Sequence, residues 1–409
     1  MSHANPCVLP LAHSVIPTCF ESGSKPMPYR QRFDADQKHP SPSLKTAIGK
    51  TRQPEHVGGM LILAVTLTFV GCKNDTNPPM PKPAGPAWVV FSTQNSSIVS
   101  DIVNTITPDA NGSIWLGTDN GASNFVHGTW VTYQAPLEFT TYGAYGSSVN
   151  RKVNAITVGR DQSVWFGLAG GGIRRFNRFA GTGAEWITYT TPSLTSDVVL
   201  RLATDNAGMI WVGTSQGVSE FIPNATGANT LAGKWRKLTT GSLIPTEPIY
   251  AIAANPYSNT IWFGTFSQGV VWYDGDLDWG IDAPRDAPFP FSSLLFDVTR
   301  TVWFGTLGDW AYKYSIDTFE WTHVIGDTTN GGGLASIVNA IATDNRGTVW
   351  FGTNQGLTKY DGAKWSTFTQ GNSSLPGDVI RALYVDNNRN LWIGTMNGAA
   401  VYNESGTKF

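Results

Sequence analysis

The sequence predicts an all-β fold: a seven-bladed β-propeller of four-stranded antiparallel blades, closed by the N-terminal strand completing the last blade. Three observations carry this. A Trp, an apolar residue and Gly follow one another seven times, beginning at Trp115, Trp165, Trp211, Trp262, Trp303, Trp350 and Trp392, and six of the copies continue with Thr, the second with Leu168. The copies stand 41 to 51 residues apart, a period that belongs to repeat architectures. Around each anchor lie short β-rich runs punctuated by Gly, Asn and Asp, and no run has the length or pattern of a helix.

The sixth unit gives the elements in order. A first run, Ile337–Ile341, leads to a turn at Asp344, and the anchor run Thr348–Thr353 follows. A turn at Asn354–Gly356 precedes the third run, Leu357–Tyr360, and Asp361-Gly362 precedes the fourth, Lys364–Phe368. An Asp stands six residues before the Trp at Asp109, Asp205, Asp297, Asp344 and Asp386. A four-stranded blade cannot bury two apolar faces alone, so neighbouring blades must cover each other. One Trp per seam fills the space between twisted sheets, and the Gly after it allows close backbone approach. The fourth unit departs from this pattern: Asp274 to Pro290 reads as an irregular insertion in place of a clean fourth strand.

The last unit stops at Val401-Tyr402, one strand short, and 404–409 reads as a tail. A spare fourth strand, Trp88-Val-Val-Phe-Ser92, stands before the first unit and matches Trp130–Tyr133, Trp186–Tyr189 and Trp365–Phe368. Pairing it with the last unit closes the ring and covers an otherwise open sheet edge.

The propeller takes up 87–403 of the 409 residues. A formal net charge of −2 and the absence of a basic run leave no indication of a nucleic-acid partner. Residues 1–59 lie outside the repeat and read as disordered, or as a segment upstream of the true start. The apolar run at 60–71 is too short for an ordinary membrane-spanning helix but fits a secretory signal. Phe69-Val-Gly-Cys72 ends that run and resembles the lipobox of bacterial lipoproteins, which implies lipidation of Cys72. A Pro-rich tether occupies 72–86. Lys73 after the Cys favours the outer membrane, facing the periplasm or the cell surface. The three cysteines, Cys7, Cys19 and Cys72, all precede the propeller, so no disulfide framework is expected within it.

The repeated pattern, [Val/Ile]-Asn-Ala-Ile-x-x-Asp-x-x-Gly-x-[Ile/Val]-Trp-[Phe/Ile]-Gly-Thr-x-x-Gly-[Leu/Val]-x-x-[Phe/Tyr], resembles the two-component regulator propeller repeat. Val338 to Tyr360 matches it throughout. In that family such propellers form extracytoplasmic sensor domains, often linked with polysaccharide sensing. The resemblance implies a ligand-binding domain, here without a kinase in the sequence.

In a propeller the loops between second and third strands share one face with the blade-to-blade loops. On that face the sequence places Phe266, Trp310, Gln355 and Tyr145, with Asp119-Asn120, Ser215-Gln216, Met396-Asn397, Phe139, Tyr142, Phe289 and Phe291 around them. Amides and aromatic faces suit a carbohydrate, although Asn, Gln and Gly are also ordinary turn residues. A second ring comes from the first strands: Asn104, Asn154, Leu200, Tyr250, Ser292, Asn339 and Arg381. Hydrogen bonds between adjacent blades account equally well for the Asn residues, whereas Arg381 in a closed ring calls for an anionic partner.

No metal site or cofactor is expected. Asp274-Gly-Asp-Leu-Asp278 resembles a calcium loop only in part, since Arg285 stands where a bidentate Glu belongs. The propeller holds only His127 and His323, and no nucleophile motif. The function expected is therefore a non-catalytic, sensor-like envelope lipoprotein that binds a glycan or peptide as a monomer. The alternatives are a glycan-cleaving hydrolase or lyase on the same fold, and a scaffold for envelope protein partners.

Overall fold

The computed structural model describes residues 87–133, 151–177, 185–224, 233–239, 245–275, 279–282, 290–327, 332–344 and 346–409, all within one compact unit, 76–409. Cys72, the 60–71 run, Phe139, Tyr142, Tyr145 and Phe289 lie outside the described residues.

Seven antiparallel sheets of four strands follow one another along the chain. Blade 1 is typical: Val103–Pro108, Ile114–Thr118, Gly121–Val126 and Thr129–Tyr133, each strand pairing with the next. The first strands of all blades ring a central channel, and the anchor Trp lies on the second. Gly326–Asp327 and Gly332–Gly333 add a two-stranded ladder beside the ring of blades. No helix among the described residues is long and apolar enough to cross a membrane.

The core is seven seams. Each of seven apolar clusters joins one blade's anchor Trp to the next blade's first strand. Trp115 thus packs with Val153 and Ile156, and Trp165 with Val199. The Gly after the anchor is required by the same approach. A Cβ on Gly167 would stand 2.5 Å from Val199, and one on Gly352 would stand 2.5 Å from Ile380.

In blades 1, 3, 5 and 7 the Asp before the anchor does two jobs at once. Asp205 Oδ1 accepts the backbone N–H groups of Ala207 and Met209, both at 2.9 Å, which closes the turn. Its Oδ2 accepts the Trp211 indole N–H at 2.8 Å. The same pair of contacts recurs at Asp297 with Trp303 and at Asp386 with Trp392. A buried indole N–H needs a partner, so the turn and the seam are locked together. Blades 2 and 4 lack that Asp, and a hydroxyl two residues before the Trp replaces it. Ser163 Oγ accepts from Trp165 at 2.9 Å, and Thr260 Oγ1 accepts from Trp262 at 3.1 Å.

Trp88–Phe91 pairs antiparallel with Gly398–Tyr402, so the N-terminal strand completes the last blade. The Trp88 ring lies 4.5 Å from that of Tyr402. Residues past Tyr402 add to the joint. The Phe409 ring stands 5.1 Å from Phe125 and 6.1 Å from Phe91, and Asn390 Nδ2 donates to the Lys408 carbonyl at 2.6 Å.

Blade 4 corrects one expectation. Trp279–Asp282 forms its outer strand and pairs with Val270–Tyr273, inside the stretch that reads as an insertion. Gly280 is the reason the strand is hard to see in the sequence. It replaces the usual β-branched residue because the Trp272 ring occupies the space of a Cβ, at 2.1 Å.

Candidate functional site at the channel mouth

The first strand of every blade carries a β-bulge at the same place. Against the second strand the register skips one residue, and the skipped residues are Asn104, Asn154, Leu200, Tyr250, Ser292, Asn339 and Arg381. A bulge leaves its extra residue outside the ladder and re-aims the side chain. All seven line one cavity of about 310 Å³ at the channel mouth. The structure therefore brings together Asn104, Asn154, Tyr250, Asn339 and Arg381.

Most of this ring also stitches blade to blade. Asn104 Nδ2 donates to the Val153 carbonyl at 3.2 Å, Asn154 Nδ2 to Val199 at 2.8 Å, and Asn339 Nδ2 to Ile380 at 2.9 Å. The Ser292 hydroxyl donates to the Val338 carbonyl, and Arg381 Nη1 donates to Asn104 Oδ1. The amides thus satisfy open carbonyls of the neighbouring first strand, and they still face the cavity. Leu200 and Tyr250 stand where the stitch is missing.

The residue after the bulge also lines the channel in every blade but the second. It is Thr105, Ala155, Ala251, Ser293, Ala340 or Ala382 in six blades and Arg201 in the third. Sequence reading had no reason to single out Arg201 without knowing the bulge. Aligning the seven units one position further would have exposed one large cation among small residues. Arg201 Nη1 donates to its neighbour's carbonyl at Leu200, at 2.8 Å, and Nη2 reaches Ser292 O at 3.4 Å. Burial pulls its pKa down to about 10, the Arg381 charge acts the same way and Tyr250 opposes it. Arg201 remains cationic at neutral pH.

The remaining candidates scatter over the same face. Phe266 is 51% exposed, with its ring 6.3 Å from Tyr250 at the rim. Glu247 holds that loop by accepting the N–H groups of Ser267 and Gln268, both at 2.9 Å. Gln355 is exposed on its turn, away from the cavity lining. Trp310 turns into the seam between blades 5 and 6 and meets the His323 ring edge-on at 5.8 Å. Asn354, beside Gln355, is on the lining and accepts from Asn339 at 2.7 Å.

Among the described residues, two cavities outside the mouth are larger than it. One of about 530 Å³ is lined by Trp165, Arg175, Met209 and Phe221, and another of about 340 Å³ by Trp211, Glu220, Arg236 and Tyr273. Their linings reach Asn224 and Gly275, where the described residues stop. No cluster of metal-ligating side chains occurs among the described residues.

Three segments, 97–120, 332–355 and 374–397, match the family model described as two component regulator propeller. No curated protein matches the sequence. Among solved structures, the chain resembles the extracellular domain of a protein described as a hybrid two component system from B. thetaiotaomicron. The identity is 21% and the TM-score 0.63, over 78% of this chain and 41% of that one. A second such domain, described as a one component system from B. thetaiotaomicron, gives 19% identity and a TM-score of 0.57 over 77% and 40%. The chain thus spans about 40% of the length of these relatives. Virginiamycin B lyase from Staphylococcus aureus matches over 77% of this chain and 98% of its own, at 13% identity and a TM-score of 0.57. At these identities the likeness is one of fold.

Proposed function

We propose, from a chain built of two component regulator propeller repeats, that this protein is a non-catalytic ligand-binding propeller of the bacterial cell envelope. One observation carries the reading: seven separate bulges converge their side chains on a single mouth, six of them polar or aromatic. Enclosed amides and a hydroxyl there can exchange hydrogen bonds with sugar hydroxyls or peptide groups. Tyr250 and Phe266 add aromatic surface at the rim, so a glycan or a peptide is the ligand class. The likeness in fold to extracellular domains of one and two component systems supports the same role. The chemistry for cleavage has no support among the described residues. His127 and His323 stand on blades 1 and 5, and His323 is stacked on Tyr312 at 4.6 Å.

Incubating the full chain with a panel of oligosaccharides and peptides tests this. A ligand-dependent rise in thermal midpoint with the ligand recovered intact is the expected result. New reducing ends would convert the reading to a glycan-cleaving enzyme. If neither appears and envelope extracts yield a specific protein partner, the scaffold reading replaces it.

The same reading takes the chain to lie outside the inner membrane, anchored through diacylated Cys72 to the outer membrane, on the resemblance of Phe69-Val-Gly-Cys72 to a lipobox. The anchoring is checked by growth with labelled palmitate. Label should enter the wild-type chain and vanish in Cys72→Ala; label persisting in that variant rejects the anchor.

A further inference from the structure

The channel mouth holds more positive charge than the propeller needs. Its lining includes Lys152, Arg201 and Arg381 and no carboxylate. Lys152 is paired with Asp119 at 3.2 Å. Arg201 and Arg381 meet only neutral acceptors among the described residues: the Leu200 and Ser292 carbonyls and the Asn104 amide oxygen. In three other blades a neutral Asn makes the inter-blade bond, so stitching does not require a cation. Arg201 also stands at a position where the other six blades have Thr, Ala or Ser. The two guanidinium groups share the lining of the mouth and repel each other. Enclosed cations without counter-charges are costly, and an anion between them removes both the repulsion and the unmet charge.

We propose that this mouth binds the carboxylate of an acidic sugar, held between Arg201 and Arg381. The planar guanidinium fork matches a carboxylate in shape and donor spacing. Around it the Asn154 amide, Asn339 Oδ1 and the Tyr250 hydroxyl are placed for ring hydroxyls. The Phe266 ring beside Tyr250 offers a surface for an apolar sugar face. This deepens the ligand-binding reading and rests on it, but it can fail separately.

The test is calorimetric titration of the full chain with trigalacturonate and with the same trimer after carboxyl reduction. The expected result is binding of the acid form, at least tenfold weaker binding of the reduced form, and weakening by added salt. Arg201→Met and Arg381→Met should each lower affinity at least tenfold. Arg201→Lys should retain part of it, and Arg346→Met, a cation outside the mouth, should leave it unchanged. Thermal midpoints of the variants report whether the ring is intact, and Arg201→Lys serves if Arg201→Met fails to fold. Equal binding of acid and reduced trimers would overturn the anion site while leaving a glycan-binding propeller in place. Binding of trigalacturonate that survives Arg201→Met and Arg381→Met together would also overturn it. A tripeptide that binds through its free C-terminal carboxylate, with no response to either trimer, would reject the sugar assignment. Silence towards every member of the broader ligand panel would instead count against the ligand-binding reading itself.

Discussion

Deleting Trp88–Phe91 lowers the thermal midpoint by about 10 °C and makes the protein self-associate. The estimate follows from burial. All four residues are half-buried, and their side chains contact both adjacent seams. Trp88 packs on Phe368 and Tyr402, and Phe91 on Phe125, Trp130, Trp392 and Phe409. Taking about half the area of two large aromatics and two valines gives on the order of 5 kcal/mol. A domain of this size shifts its midpoint by roughly 2 °C per kcal/mol. Self-association has a separate cause. Without its partner, Gly398–Tyr402 becomes an open edge with unpaired backbone groups and apolar side chains. Differential scanning calorimetry and light scattering read the two effects. An unchanged midpoint would show that the ring does not depend on this strand.

Trp392→Ala should cost about 3–5 kcal/mol in urea denaturation. Trp392 is 1% exposed and sits in the seam where the ring closes. Its ring lies 5.3 Å from Phe125, 5.8 Å from Phe409 and 6.3 Å from Phe91, so truncation opens a void lined by aromatics. It also removes one of the two hydrogen bonds that Asp386 Oδ2 accepts, the indole N–H at 3.0 Å, and leaves that from Asn390 Nδ2 at 2.8 Å. Trp392→Phe should recover most of the packing and lose only the hydrogen bond. A loss below about 1 kcal/mol for the alanine variant would mean that the seam repacks and that the anchors are not the wedge between blades.

The blade count was legible because the Trp anchor and its Gly answer to a local constraint repeated seven times. Closure was legible because Trp88-Val-Val-Phe91 copies an outer strand at the wrong end of the chain. The outer strand of blade 4 was not, since Gly280 under the Trp272 ring breaks the β-branched pattern for a packing reason. The seven ring positions could be aligned, but not their meaning. The bulge decides that Asn104 and its equivalents face the mouth, and nothing in their own residue types encodes a bulge. Arg201 was missed for the same reason, being one place beyond the aligned column. Phe409 looked like the end of a tail because the partners it meets, Phe91 and Phe125, are about 300 residues away in sequence.

The antiparallel joint has a mechanical consequence. Trp88 lies opposite Tyr402, and Asn403 N–H donates to the Ala87 carbonyl at 2.9 Å, so the chain enters and leaves the joint side by side. Tension between those two points loads the ladder one rung after another, in the manner of a zipper. No arrangement exists in which all rungs resist together, as they would if the same strands were pulled from opposite ends. A wheel that is hard to melt is therefore easier to peel by pulling at Ala87 and Asn403.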